Sequence, residues 1–247
     1  MTLFINVCVF LAKTLILPLK LAEILGLLSF YKRVFPIIVY NITFSYNNKM
    51  NDKKRELFRN LDKFYPTTTG PLRILEVGCG SGANFEHYPT GSKITCTDPN
   101  HHFKKYLEKS MAKNDHLVYE NFVVASGENL QTVEDSSVDV VVCTLVLCSV
   151  QDTSKVLQEA KRVLRPGGAL FFLEHVVSDP SSWIYFFQQV LQPLWYYLND
   201  GCEMTRAIWK DLETAGFSNL HLSVLEDSGL AGIGVGHGES LQTLHCL

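Results

Sequence analysis

The stretch Arg73-Ile-Leu-Glu-Val-Gly-Cys-Gly-Ser-Gly82 joins a short apolar run to a loop rich in glycine. The apolar half is typical of a buried β-strand. Gly78, Gly80 and Gly82 let the backbone turn sharply and approach a nucleotide or an amino acid closely, while a following helix offers free N–H groups. The stretch therefore predicts a ligand-binding loop at a strand end. Taken alone, Gly78-x-Gly80-x-x-Ala83 would also suit a dinucleotide-binding loop.

Beyond this loop, strand-like and helix-like stretches alternate along the chain. Apolar runs predict further strands at 94–97, 122–124, 138–147, 169–173 and 220–225, with helical patterns between them, as at 103–112 and 154–164. Strands that are apolar on both faces are typical of a parallel sheet covered by helices on each side. The sequence therefore predicts an α/β fold with a mostly parallel sheet, whose ligands bind at the carboxyl ends of the strands.

Polar groups follow the predicted strands where a nucleotide would lie. Asp98 ends the second strand, twenty residues after Gly78, where a carboxylate can accept hydrogen bonds from ribose hydroxyls. Ser126-Gly-Glu128 follows the third strand, and Leu164-Arg-Pro-Gly-Gly168 predicts a turn before the fifth. Together these groups point to a cofactor that contains a nucleoside.

The ensemble resembles the class I S-adenosylmethionine-dependent methyltransferases, which have a Rossmann-like fold, over roughly residues 73–224. The resemblance implies that the glycine loop holds the methionine part of S-adenosyl-L-methionine. It implies that the acid after the second strand binds the ribose, and that the polar turn after the third strand meets the adenine. The residues that it assigns to the cofactor are Glu76, Gly78, Gly80, Gly82, Asp98, Gly127 and Glu128.

A closer resemblance combines the apolar N-terminus with four stretches of the chain. Asn51–Phe58, Leu75–Gly80, Asp139–Ser149 and Glu174-His175 resemble the membrane-anchored methyltransferase-like proteins that methylate alkyl thiols. This resemblance implies an endoplasmic reticulum or lipid-droplet membrane and small thiols as acceptors.

Methyl transfer from a sulfonium requires alignment of the acceptor, the methyl carbon and the leaving sulfur, and it requires no metal. At neutral pH only a minor fraction of a free thiol is ionised. His175, at the end of the fifth strand, is our candidate for the general base or for positioning the acceptor. The alternative is a histidine that only hydrogen-bonds a neighbouring loop. Tyr46 and Met50 lie in a segment that resembles the element covering the cofactor in related methyltransferases. The alternative is that they only connect the N-terminal segment to the domain.

The first forty residues are far more apolar than the rest and predict a membrane anchor. Asn6, Lys13 and Lys20 recur every seven residues, so on one helix they form a narrow polar stripe beside a wide apolar face. This pattern favours a helix lying in the membrane interface, and a spanning helix and a core helix of a soluble protein are the alternatives. Lys32 and Arg33, which follow the apolar stretch, predict that the rest of the chain is cytosolic.

These patterns divide the chain into an anchor at 1–40, a linker and cofactor-covering helical segment at 41–72, a methyltransferase domain at 73–225 and a glycine-rich tail at 226–247. Five glycines between 229 and 238 are poor strand formers, so we expect the sheet to lack its seventh strand. The aromatic-rich stretch 183–198 is expected to form an acceptor lid, a bilayer contact or ordinary helix-packing core.

Composition argues against several classes of protein. The 247 residues carry a net charge of −3, and the lysine clusters lie next to the predicted anchor, so no nucleic-acid partner is expected. The seven cysteines include no C-x-x-C pair, which argues against a zinc knuckle or a disulfide scaffold and favours a reducing compartment.

The sequence thus predicts an S-adenosylmethionine-dependent methyltransferase for small lipophilic thiols at the cytosolic face of a membrane, with lipid as a partner and no metal. One alternative is a protein of this fold that acts at the reticulum or lipid-droplet surface with weak or no turnover. A nucleotide-linked oxidoreductase is the third interpretation, and Glu76 and the Arg165–Gly168 turn argue against it.

Overall fold

The computed structural model describes residues 2–66, 70–225 and 232–239. In these ranges seven strands form one sheet: β1 Arg73–Val77, β2 Lys93–Thr97, β3 Val118–Val123, β4 Val138–Thr144, β5 Leu164–Val176, β6 Asn219–Leu225 and β7 Gly232–Glu239. The first five strands pair in parallel, and β7 runs antiparallel to both β5 and β6. The predicted α/β fold with a mostly parallel sheet is confirmed.

The helices precede the sheet or connect its strands. They are α1 Thr2–Leu15, α2 Leu17–Ile24, α3 Ser29–Phe58, α4 Lys104–Met111, α5 Thr153–Val163, α6 Trp183–Leu198 and α7 Ile208–Thr214. Short 3-10 helices lie at Leu61–Phe64, Phe85–His87 and His101–Phe103.

Two strands begin four or more residues earlier than the apolar runs predict. β3 begins at Val118 rather than at residue 122. β5 begins inside the predicted turn, because Leu164 pairs with Val138 before the register shifts and Ala169 pairs with Val140. The turn is thus an irregularity within the strand, with Gly167 at a φ of +75°.

The strand order β3-β2-β1-β4-β5-β7-β6 determines where a ligand fits. From β1 the chain proceeds outward through β2 and β3, and then returns to the other side of β1 as β4. In an open parallel sheet, such a reversal leaves a crevice beyond the carboxyl ends of the two central strands. The glycine loop begins at this crevice, directly after β1.

Hydrophobic cores cover both faces of the sheet. On one face, Leu57 and Phe58 of α3 pack with Phe171 of β5. On the other face, Leu157 of α5 and Leu212 of α7 complete the core. Burial on both faces explains why these strands read as continuous apolar runs.

The expected loss of the seventh strand is wrong. β7 lies between β5 and β6, with the pairs Ala169↔Glu239 and Asn219↔Glu239 at one end. Pairing on both sides outweighs the low strand propensity of glycine, and a Cβ at Gly238 would stand only 2.8 Å from the Phe217 ring. The sheet therefore extends into the segment 226–247 that the sequence suggested as a tail.

The N-terminal apolar region is bent rather than a single rod. In the parts of the chain that are described, no single helix is long and apolar enough to cross a membrane, but Leu3–Leu15 and Leu17–Ile24 pass that test as a pair bent by 47°. Pro18 in the first turn of α2 lacks an N–H for the α1 hydrogen-bond ladder, which accounts for the break. The stripe of Asn6, Lys13 and Lys20 therefore does not lie on one helix.

Helix α3 runs without interruption across the boundary expected at residues 40 and 41. Its first half carries Phe35, whose ring meets the Phe103 ring edge-on at 6.1 Å. Its second half reaches the core through Met50, Leu57 and Phe58. One helix thus connects the apolar N-terminus directly to the face of the sheet beside the glycine loop.

Candidate functional site

The glycine loop turns where only glycine fits. Gly78 has a φ of +61°, and a Cβ there would come within 2.5 Å of a Val146 methyl group. Gly82 has a φ of +76°, and a side chain there would meet the ring of Phe85. Both positions combine a left-handed backbone with a close neighbour, so any residue larger than glycine would strain the backbone and meet that neighbour.

Asp98 lies beside this loop at the end of β2. Its carboxylate accepts a hydrogen bond from the Gly80 N–H at 3.0 Å and another from the Asn100 N–H at 2.8 Å. Burial raises the pKa of Asp98 to about 6, although these two N–H groups act in the opposite direction. The structure thus brings the predicted ribose ligand and the predicted glycine loop together.

Glu76 is enclosed beneath the loop. Its carboxylate accepts hydrogen bonds from Asn84 Nδ2 and from the Tyr88 hydroxyl, both at 2.8 Å. Burial raises the pKa of Glu76 to about 7, and the nearby Lys54 ammonium lowers it in part. These contacts join β1 to the segment that follows the glycine loop.

Gly127 and Glu128 lie beyond β3, next to the end of β1. A Cβ at Gly127 would be 2.7 Å from a Val77 methyl group, so glycine allows this segment to pack against β1. Glu128 accepts hydrogen bonds from the Asp152 N–H at 2.7 Å and from the Ser126 hydroxyl at 3.0 Å. Its carboxylate therefore connects the loop after β3 to the start of α5.

Helix α3 covers the glycine loop from above. Thr43 Oγ1 lies 3.1 Å from Ser81 Oγ, Asn47 Nδ2 donates to the Ala83 carbonyl at 2.8 Å, and Lys54 Nζ donates to the same carbonyl at 3.0 Å. Burial lowers the pKa of Lys54 to about 8. The sequence does not reveal these contacts, because residues of α3 meet a loop that lies more than twenty residues further along the chain.

Tyr46 stands out among the α3 residues. Its hydroxyl oxygen is buried but makes no hydrogen bond with any residue that the structure describes. Burial, with Glu174 and Cys148 nearby, raises the pKa of this hydroxyl above its usual range. A buried hydroxyl without a partner is costly, so it marks a place where a ligand group can accept its hydrogen bond.

Glu174 organises the loop after β4. It is fully buried, and its carboxylate accepts hydrogen bonds from the N–H groups of Val146, Leu147 and Cys148 at 2.9 to 3.1 Å. Burial raises the pKa of Glu174 to about 7, although the three hydrogen bonds lower it in part. Glu174 thereby fixes the loop whose Val146 packs on Gly78.

The Nδ1 atom of His175 contacts two thiols and does not point into an open cleft. Nδ1 lies 3.2 Å from Cys202 Sγ and 3.7 Å from Cys148 Sγ, and the two sulfurs are 3.3 Å apart. The hydrogen bond with Cys148 and, to a smaller extent, the contact with His175 lower the pKa of the Cys202 thiol well below its usual range. The hydrogen bond with Cys202, together with burial, raises the pKa of the Cys148 thiol. The Trp195 ring meets His175 edge-on at 5.9 Å. The role of His175 as general base stays a prediction.

Helix α6 reverses the pattern expected of a surface helix. Gln188 is fully buried and donates to the Val176 carbonyl at 3.0 Å, and Gln192 donates to the Cys202 carbonyl at 3.1 Å. By contrast, Trp183, Phe187 and Leu198 are exposed. The glutamines thus face the domain, and large apolar side chains face outward.

Several known proteins with similar sequences are thiol S-methyltransferases. Residues 75–172 match the family described as a methyltransferase domain. The chain is 55% identical to human thiol S-methyltransferase TMT1A over 203 residues, 82% of this chain and 83% of that one. It is 53% identical to human thiol S-methyltransferase TMT1B over 209 residues, 84% of this chain and 85% of that one.

Solved structures with a similar fold are more distant in sequence. The trans-methyltransferase CalH in complex with SAH has a TM-score of 0.52 and 22% identity, and the match covers 76% of this chain and 54% of that one. The [4+2]-cyclase SpnF has a TM-score of 0.54 and 14% identity, with 76% and 81% covered. A cyclase among these neighbours illustrates that the fold alone does not determine the reaction.

Proposed function

Because the chain belongs to the thiol S-methyltransferase family, we propose that it transfers the methyl group of S-adenosyl-L-methionine to small lipophilic thiols at the cytosolic face of a membrane. The chain is an S-adenosylmethionine-dependent methyltransferase. The observation that carries this conclusion is its 55% sequence identity to human TMT1A, which extends over most of both chains. The lipophilic acceptor and the membrane are the finer parts of the proposal.

The residues around the glycine loop suit this cofactor. Each oxygen of Asp98 accepts one hydrogen bond from the protein and keeps a second lone pair, with which it would accept from a ribose hydroxyl. The backbone at Gly78, Gly80 and Gly82 would hold the methionine part, and the Tyr46 hydroxyl offers an unused donor. Gly127 and Glu128 would lie on the adenine side.

S-adenosyl-L-methionine supplies an electrophilic methyl group on a sulfonium. The task of the protein is then to align an acceptor sulfur with that methyl carbon and to exclude water. Helix α3 serves the exclusion, because its contacts with Ser81 and Ala83 close the loop on the solvent side. The acceptor thiol must lose its proton, and the thiolate is the nucleophile.

The membrane part of the proposal rests on exposed apolar side chains. Along α1 and α2, Leu3, Phe10, Leu15 and Ile24 are each more than 60% exposed. In a soluble environment this amount of contiguous apolar surface is unfavourable, and burial in a lipid interface removes it from water. We assign residues 1–40 to membrane attachment at the endoplasmic reticulum or lipid droplets, with Lys32 and Arg33 on the cytosolic side.

The lipophilic acceptor is supported by the contact between the apolar N-terminus and α6. The rings of Phe4 and Phe186 stack at 5.8 Å, and the Tyr197 hydroxyl donates to Glu23 at 3.2 Å. Helix α6 therefore continues the apolar surface of α1 toward the strand ends. A thiol that partitions into lipid would reach the domain along this surface, and water-soluble thiols would gain nothing from it.

The proposal is tested with the full-length protein in membranes, labelled S-adenosyl-L-methionine and an alkyl thiol. We expect labelled methyl thioether that depends on protein, cofactor and thiol, with a lower KM for longer alkyl chains. Retained cofactor binding without product would instead support the alternative of a methyltransferase fold that has lost turnover. Equal KM values across chain lengths would contradict the lipophilic acceptor.

A further inference from the structure

The three side chains at the end of β5 form a compact group of soft ligands. The Sγ atoms of Cys148 and Cys202 and a ring nitrogen of His175 all lie within 4.8 Å of one another. They come from the loop after β4, the end of β5 and the segment between α6 and α7. In the described ranges, no fourth cysteine, histidine or carboxylate belongs to this group.

We propose that Cys148, His175 and Cys202 bind one zinc ion. Two thiolates and one imidazole are a ligand set that zinc takes, with a tetrahedral arrangement and one position left for a non-protein ligand. Zinc lies about 2.3 Å from sulfur and about 2.0 Å from nitrogen, which places tetrahedral ligand atoms about 3.5 to 3.8 Å apart. The ligand atoms of this group are 3.2, 3.3 and 3.7 Å apart, so the group opens by at most about 0.5 Å to hold the ion.

A disulfide fits the same atoms less well. Its sulfurs would have to approach to about 2.05 Å, which closes the present 3.3 Å separation by more than 1 Å. Cys148 is fully buried and Cys202 is 3% exposed, so soluble oxidants have little access to either sulfur. The histidine, which a disulfide does not use, is at hydrogen-bond distance from Cys202.

The ligands are held in place by hydrogen bonds of their own segments. The Cys148 N–H donates to Glu174 at 3.1 Å, and the Cys148 carbonyl accepts from the Glu203 N–H at 2.7 Å. The Cys202 carbonyl accepts from Gln192 at 3.1 Å. Such outer contacts fix the orientation of metal ligands, and here they join three distant segments at one point.

The inference changes the predicted role of His175. A histidine that binds zinc through Nδ1 has no free lone pair there for a proton. Zinc at this position would instead link the segment after α6 to the ends of β4 and β5. Binding of metal does not depend on methyl transfer, so the zinc site and the proposed activity can fail separately.

The test measures metal in the purified full-length protein by mass spectrometry of the elements. We expect about one zinc per chain in the wild type and at least a fivefold loss in Cys202→Ser and in His175→Ala. The matched control is Cys143→Ser, because Cys143 is a buried cysteine of β4 outside the group, and it should keep the zinc. Binding of S-adenosyl-L-methionine to each variant reports that the domain is folded.

A second measurement keeps the proposal open to refutation if a variant unfolds. Wild-type protein stripped with a chelator should lose thermal stability and regain it with Zn²⁺, and Co²⁺ should give a thiolate charge-transfer band. Metal-free wild type that takes up neither ion while it binds the cofactor would overturn the zinc site. A Cys148–Cys202 disulfide found by peptide mapping under non-reducing conditions would also overturn it.

Discussion

The glycine loop and the N-terminal helices depart from ordinary protein surfaces in opposite ways. Around the loop, the carboxylates of Glu76 and Asp98 are buried in places that raise their pKa values. Along α1 and α2, large apolar side chains are exposed instead. A buried polar group and an exposed apolar one are both unfavourable in a protein alone. Each region therefore suits a partner of its own kind, a charged nucleoside cofactor or a lipid surface.

The largest effect is expected at the lipid surface. A triple variant removes exposed apolar area from α1 and α2 and adds negative charge; its substitutions are Phe10→Glu, Leu21→Glu and Ile24→Glu. At about 1.5 kcal/mol for each side chain, the partition into vesicles should fall roughly 1000-fold. Co-sedimentation of the full chain with lipid vesicles measures this, and binding of the cofactor should stay as it is.

The control for that experiment adds the same charge elsewhere. The control variant carries three glutamates at exposed positions of the domain, away from α1 and α2: Val118→Glu, Gln131→Glu and Thr132→Glu. If they release the protein from vesicles as strongly as the N-terminal set, the attraction is a matter of net charge, and the contrast between the two regions loses its basis.

The next largest effect is expected at the ribose position. Asp98→Ala removes an acceptor of two backbone N–H groups and the predicted ligand of the ribose hydroxyls. We expect Kd for S-adenosyl-L-methionine to rise about 100-fold, with vesicle binding unchanged. Asp139→Ala is the matched control, because Asp139 is also buried but pairs with Arg73 at the amino end of β4. Equal Kd values in both variants would contradict the assignment of Asp98.

The buried Glu76 should make the cofactor-free protein sensitive to pH. The folded-state pKa of about 7 lies above the usual glutamate pKa of 4.5, so the folded state keeps a proton that the unfolded chain has released. Its contribution is thus fully present below about 4.5 and is lost as pH rises through about 7, at most about 3 kcal/mol. Glu76→Gln should flatten the fall in unfolding free energy between pH 5 and 8. The unfolding free energy is measured by denaturant titration at each pH. If that of Glu76→Gln fell with pH as steeply as that of the wild type, the result would contradict this.

The smallest effect is expected from the Tyr46 hydroxyl. Tyr46→Phe removes a buried donor that has no partner among the described residues, so the cofactor-free protein should be as stable or slightly more stable. If the bound cofactor accepts that hydrogen bond, Kd rises about fivefold, as for the loss of about 1 kcal/mol. A Kd equal to that of the wild type would limit α3 to a covering role.

Local patterns predicted the centre of the domain well. The glycines after β1 and the acid after β2 are determined by short-range rules of backbone geometry and strand ends, so Gly80 and Asp98 were expected near each other, and they are hydrogen-bonded. The alternation of apolar runs likewise predicted the parallel sheet, although β3 and β5 begin earlier than the runs do.

Features that depend on distant partners could not be read from the sequence. Strand β7 forms from glycine-rich chain because β5 and β6 supply hydrogen bonds on both sides. The inward glutamines of α6 find backbone carbonyls far along the chain. The spacing of Cys148 and Cys202 along the chain does not indicate that they meet His175, because a group assembled from three segments has no characteristic spacing.

The most direct test of the assigned reaction uses three acceptors with one alkyl skeleton, a thiol, an alcohol and an amine. Full-length protein on vesicles is mixed with labelled S-adenosyl-L-methionine and each acceptor, and the methylated products are separated. We predict a methyl thioether from the thiol and no methylated alcohol or amine. Methylation of the alcohol or the amine at a comparable rate, or no thioether from protein that binds the cofactor, would contradict thiol methyl transfer as the activity of this chain.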